Sequence, residues 1–259
     1  MSIVLRIRPA IYASLAHLIG SGVVALICAA LIFGVWYPYP FNTLVGGTAL
    51  FLLVVVVDVV SGPILTLVVF DPTKPKQELF RDIGFIVVFQ LLVLAYGVYT
   101  IYQARPVFVA FEGSIFRVVS VPDIDIIRID SARPELKSFS LTGPRLIGVR
   151  LSRNTDRDFP NSIQLAMEGL HPAFRPERWV DFESQAQDVV SQAKPISKLR
   201  EMHPANADDI NGVVEGLEKG EQVVGYLPLI AKSHTDWVVI VTRLDGKIIL
   251  KGYLNLDPW

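Results

Sequence analysis

The chain has 259 residues, 51% of them apolar, with a positive mean hydropathy, a formal net charge of −1 and 19% charged residues against about 25% in soluble domains. That balance excludes the composition of an ordinary soluble enzyme. It also supplies no field to draw in phosphates, so no nucleic-acid partner is expected. The charges are unevenly spread: Pro9 to Val57 and Ile83 to Ala104 contain no Asp, Glu, Lys or Arg, whereas residues 105–259 hold 40 of the 49 charges. Two domains are therefore expected, a transmembrane one over 1–104 and a globular one over 105–259.

A bilayer core is about 30 Å thick and a helix rises about 1.5 Å per residue, so roughly 20 apolar residues span it. The first uncharged run is too long for one span, and Trp36-Tyr37-Pro38-Tyr39-Pro40-Phe41-Asn42 breaks it near the middle. Prolines among interfacial aromatics mark a turn at the membrane surface. Helices are predicted near 11–36, 44–70 and 83–103, with Asp71-Pro72-Thr73-Lys74-Pro75-Lys76 as the second turn. Arg6 and Arg8 precede a run without a clean cleavage site, so the first helix reads as an uncleaved span rather than a signal peptide. Arg6, Arg8, Lys74, Lys76 and Arg81 put the N-terminus and second turn in the cytoplasm and residues 105–259 in the periplasm, with Arg105 the mild exception.

The outer part reads as α+β. Val107–Phe111 and Ile115–Val121 form a predicted hairpin, and Trp237–Leu244 and Lys247–Leu254 flank Asp245-Gly246, a strong turn signal. Helix-like spacing covers Pro176–Ala193 and Ala207–Leu217, with Gly220 ending the second. Residues 122–160, rich in Pro, Arg, Asp and Ser, carry no assignable period.

The chemical inventory is thin. His171, His203 and His234 lack the close pairing of metal sites, and no nucleophile elbow, phosphate-cradling glycine loop or His-Glu-x-x-His stands in the chain. No metal or other cofactor is expected. Cys28 has no disulfide partner and sits in the first apolar run, as a filler.

Asp58 calls for an explanation, because it falls about 18 Å from the cytoplasmic end of the second helix, near mid-bilayer. An ionised carboxylate there costs a few kcal/mol at least, so a partner or a polar interior is expected. Ser61 and Gly62 share its helical face, and Pro63 frees the carbonyl of Val59. His17 on the first helix and Gln90 on the third, each about 12 Å in, are the candidate partners. Ser14, His17 and Ser21 share one face, Gln90, Val93 and Gly97 another, and the small Ala16 and Gly20 permit close helix contact. Two roles stay open for Asp58: glue within a three-helix bundle, or contact with a membrane-embedded partner.

The run Asp58-Val-Val-Ser-Gly-Pro-Ile-Leu-Thr-Leu-Val-Val-Phe70, followed by Arg81-Asp82-Ile83, resembles the type IV pilin accessory proteins, the TfpX/TfpZ group. Trp36-Tyr37-Pro38, Gly46-Gly47, Gln90, Tyr96-Gly97, Arg105-Pro106-Val107 and Phe116-Arg117-Val118-Val119 are similar too, so the resemblance covers roughly residues 10–120. Ser61 departs from it, standing where a larger apolar residue is expected. The resemblance implies a non-enzymatic bacterial inner-membrane factor that helps a type IV major pilin assemble, with other inner-membrane pilus proteins as further partners. A membrane-tethered envelope enzyme or a sensor acting through the outer domain remains as the alternative.

Overall fold

The computed structural model describes residues 3–156 and 159–259, and the side chains from Ile7 onward, so the Arg6 side chain used for the orientation lies outside the described residues. The chain divides between Arg105 and Pro106 into two compact units. The first contains three helices long and apolar enough to cross a membrane; the second is built of a sheet and helices.

Helix α1 (Ile3–Leu31) widens into one π-helical turn, Ile32–Trp36, which ends where the Tyr37 N–H donates to the Ile32 carbonyl at 2.7 Å. The aromatic turn after it contains a single helical turn, α2 (Phe41–Leu44). Gly46 adopts φ +72°, and a Cβ on Gly47 would strike the Tyr37 ring, so both glycines are required for α3 (Gly47–Val69) to start here. Tyr37 is fully buried and its hydroxyl donates to the Ile101 carbonyl at 2.7 Å. Ile32, Tyr37, Phe51 and Ile101 close this end of the unit.

Helix α4 (Lys76–Gln103) begins seven residues before the predicted start at 83. Charged residues there mark the end of the apolar segment, not of the helix. Lys74 joins Asp82 at 2.7 Å across the first two turns of α4, and Asp71 accepts from the Thr73 N–H at 2.9 Å to shape the turn before it. The same reason moves the start of α1 from the predicted 11 to Ile3, with Pro9 accommodated inside the helix. Helix α3 packs along both α1 and α4, and α1 and α4 do not pack along one another in the same way.

In the second unit a seven-stranded sheet runs β4-β3-β1-β2-β5-β6-β7. The hairpin β1 (Pro106–Glu112) and β2 (Ile115–Ser120) is antiparallel at its centre. Strand β3 (Arg145–Val149) adds parallel to β1, and β4 (Trp179–Val180) adds antiparallel to β3. On the other side β5 (Gln222–Ala231) adds parallel to β2, and β6 (His234–Leu244) and β7 (Lys247–Leu254) complete the sheet. Asp245 (φ 49°) and Gly246 (φ 81°) both take positive φ in the β6–β7 turn, the conformation the Asp-Gly pair favours.

Helix α5 (Ser162–Met167) lies in the middle connection, and α6 (Ala186–Gln192) is all that is α-helical of the predicted 176–193. Pro176 and the pairing of Trp179 with Val149 hold the first part of that stretch as 3-10 turns and a short strand. Helices α7 (Ile196–Met202) and α8 (Ala207–Glu215) bury Leu199 and Ile210 against Tyr226, Val238 and Leu256. A second core gathers Phe108, Ile147, Phe174 and Trp179, with the Phe108 and Trp179 rings 4.9 Å apart.

The connections are held by ion pairs rather than by period. Buried Arg178 donates to Asp156 at 2.6 Å, beside Arg150 at 2.9 Å, and buried Arg175 donates to Glu177 at 2.9 Å. Gln185 mimics a strand: its Oε1 accepts from the Val149 N–H at 2.8 Å and its Nε2 donates to the Val149 carbonyl at 3.1 Å.

Arg150, then the Arg153 N–H and Arg178, hold the Asp156 carboxyl well below the ordinary carboxylate range. A carboxyl depressed in the folded state stabilises above its unfolded value of about 4, and that stability is lost as pH falls toward the folded value. Residues 106–259 produced without the helices are expected to melt cooperatively, with a midpoint that falls as pH drops below about 4. Asp156→Asn should lower the midpoint at neutral pH, by leaving Arg178 buried without its carboxylate, and flatten the acid limb; circular dichroism melts across pH test both.

Candidate functional site

The polar side chains of the membrane unit converge on one stripe of α3. Asp58, Gly62 and Thr66 are spaced four residues apart, so they lie in a row, and all three are buried. Gln90 on α4 crosses that row: its Nε2 donates to the backbone carbonyl of Asp58 at 2.9 Å and reaches the carboxyl Oδ1 at only 3.5 Å. The close approach depends on Gly62, because a Cβ there would collide with the Gln90 amide. Farther along, a Cβ at Gly97 of α4 would collide with Val54 of α3, so both helices yield a side chain at their contact.

Helix α1 meets the same stripe from its other side. Ser14 Oγ donates to the Pro63 carbonyl at 2.8 Å, and His17 Nδ1 shares a hydrogen bond with Thr66 Oγ1 at 2.6 Å. Helix α3 runs unbroken through Pro63, and the acceptor used is the carbonyl of Pro63 itself rather than that of Val59. Ser61 is half-buried and, among the described residues, adds no side-chain hydrogen bond to the cluster. Gln90, Leu94 and Gly97 form the buried face of α4; Val93 is exposed.

The sequence therefore names Asp58, Gly62, Pro63, His17 and Gln90 as neighbours but pairs them differently from the structure. His17 bonds Thr66, not Asp58, and Gln90 bonds mainly the backbone of Asp58, not its acid. Thr66 is a further member of the cluster, and its place two turns beyond Asp58 on one face is the sequence signal for it.

A cavity of about 410 Å³ opens beside this cluster. Ala13, Ala16, Gly20 and Val24 of α1 form one wall, Val87 and Leu94 of α4 the other, and Asp58, Thr66 and Gln90 the floor. Asp58 and Gln90 are each less than a tenth exposed.

In the second unit the histidines stand apart. Among the described residues, no group of three or more His, Cys, Asp or Glu is placed to hold a metal. His171 lies edge-on to Phe174, where burial and then Arg117 hold it below its usual range. His203 bonds the Asp257 carbonyl at 2.8 Å and His234 lies 3.5 Å from Asp236.

The profile of the family described as Fimbrial assembly protein FimB matches residues 5–46. Two fimbrial assembly proteins of Dichelobacter nodosus, of serogroups E1 and I, are 33% and 32% identical over 94% of this chain and 93% of their own. A third, of serogroups C1 and C2, is 43% identical over 42% of this chain and 82% of its own. No solved structure matches the chain.

Because the short bond of Gln90 goes to the backbone, Gln90→Leu removes it and Asp58→Leu does not. Gln90→Leu should cost the unit about 0.5 to 1.5 kcal/mol, the range of interhelical hydrogen bonds in membranes, and Asp58→Leu less. Thermal midpoints of the detergent-solubilised protein rank the two; the opposite order would assign the contact to the acid.

Proposed function

The chain belongs to the fimbrial assembly protein family, and from that premise we propose that it is a non-enzymatic inner-membrane factor that assists assembly or stability of a specific type IV major pilin. The observation that carries this reading is identity at about one residue in three along nearly the whole of two fimbrial assembly proteins, membrane helices and outer unit together.

The layout supports it. On this reading the three candidate spans put the N-terminus and the second unit on opposite sides of the bilayer. Arg8, Lys74, Lys76 and Arg81 at the two ends preceding spans one and three argue for a cytoplasmic N-terminus and a periplasmic second unit. The resemblance implies pilins anchored by one apolar N-terminal helix with a globular domain outside the membrane, and such a pilin could be met in the bilayer and in the periplasm. For the periplasmic contact the second unit offers exposed apolar side chains, with Ile127 at 92%, Ile163 at 75% and Met167 at 83% exposure.

Deleting the gene should reduce surface fimbriae and the steady-state level of pilin without lowering pilin transcript. The full chain should restore both, and residues 106–259 exported alone should not. Electron microscopy with pilin immunoblots reads the outcome, and a fully fimbriated deletion strain would refute the proposal.

A further inference from the structure

Helices α1 and α4 both pack on α3, yet between them lies the open cavity rather than a mutual interface. Its walls are two helical stripes. Ala13, Ala16, Gly20 and Val24 recur at three- and four-residue steps on α1, and Ile83, Val87, Leu91 and Leu94 do so on α4. Each stripe runs over 12 residues, about 16 Å of helix from first to last. Side chains at three- and four-residue steps form the ridges that helix–helix packing uses. The α1 wall is made of small residues, and a Cβ added at Gly20 would meet nothing within 4 Å, so a neighbouring backbone can approach closely.

The floor is what distinguishes this groove from an ordinary lipid-facing surface. Gln90 lines it, is 6% exposed, and its Oε1 is buried without a hydrogen-bond partner. The amide orientation is fixed, because a carbonyl can only accept and the Asp58 carbonyl therefore faces the Gln90 nitrogen. Among the described residues, the Asp58 carboxyl, 7% exposed, makes only the 3.5 Å contact with that same nitrogen. Among those residues the carboxyl thus lines the floor with no hydrogen bond shorter than 3.5 Å, beside the buried Gln90 oxygen, in a setting where an unmet polar group is costly.

We propose that the groove between α1 and α4 seats the transmembrane helix of the fimbrial subunit, an apolar helix that brings a hydrogen-bond donor to the level of Asp58 and Gln90. This rests on the pilin-assisting reading above. A lipid chain would fill the walls but supply no donor. A helix with an amine, hydroxyl or amide at mid-depth supplies both. The site is then a temporary holder: the apolar walls add no net hydrophobic drive in lipid, so the donor and the close fit along Ala16 and Gly20 set the affinity.

The test uses the full chain in the bacterium, with the photocrosslinking residue benzoylphenylalanine placed at Val87 in the groove or at Leu92, which is 65% exposed and outside it. Ultraviolet light should join the subunit, detected by anti-pilin blot, to the Val87 form and not to the Leu92 form. Gly20→Leu or Ala16→Leu, which fill the groove from its open wall, should abolish that adduct and lower fimbriation while the protein stays at normal abundance. An adduct equal at both positions, an adduct that survives a normally abundant filled-groove variant, or a Val87 adduct only with lipid or with a second copy of the chain would each overturn the proposal. If the deletion strain lacks fimbriae in the same experiment, such a result removes the groove and leaves the assembly role standing; if it is fully fimbriated, the assembly role itself fails.

Discussion

One side-chain amide laid across a glycine organises the membrane unit. Gln90 reaches the backbone of α3 because Gly62 has no side chain, and it bonds the carbonyl of Asp58 at 2.9 Å. In lipid there is no hydrophobic gain from bringing apolar helices together, so packing and a few hydrogen bonds must supply the association. Ser14 and His17 provide the matching bonds from α1, to Pro63 and Thr66 on the same stripe. Helix α3 therefore acts as a shared rail. Away from the end where Tyr37 bonds the Ile101 carbonyl, each outer helix is tied to α3 rather than to the other, and the open groove lies between them.

The two units solve opposite problems. The first has abundant apolar surface and few polar groups, so its specificity lies in where small residues permit contact. The second carries most of the charge, has no disulfide, and stabilises its irregular connections with buried arginines paired to Asp156 and Glu177.

Much of the architecture was legible because it rests on period and turn chemistry. The three spans follow from charge-free length, and the terminal hairpin from Asp245-Gly246. Charge does not mark the end of structure: α4 starts at Lys76, and ion pairing of Lys74 with Asp82 satisfies its polar first turns. The sequence is silent about β3 because Arg145–Val149 sits within a stretch whose order comes from distant partners such as Gln185 and Phe108. At the candidate site, the residue types were readable and the pairing was not. Asp58 drew attention as the buried charge, whereas the geometry gives the stronger bond to its backbone, a group no sequence pattern marks.

The central claim is that the Gln90 amide, seated over Gly62, sets the approach of α4 to α3. The most direct measurement is the thermal midpoint of Gly62→Ala in two backgrounds, native and Gln90→Ala, in the same detergent. With Gln90 present the added methyl should destabilise. With Gln90 truncated the collision is gone and alanine's helix preference, worth up to about 1 kcal/mol over glycine, should make the same substitution neutral or stabilising. An equal loss in both backgrounds would contradict the account.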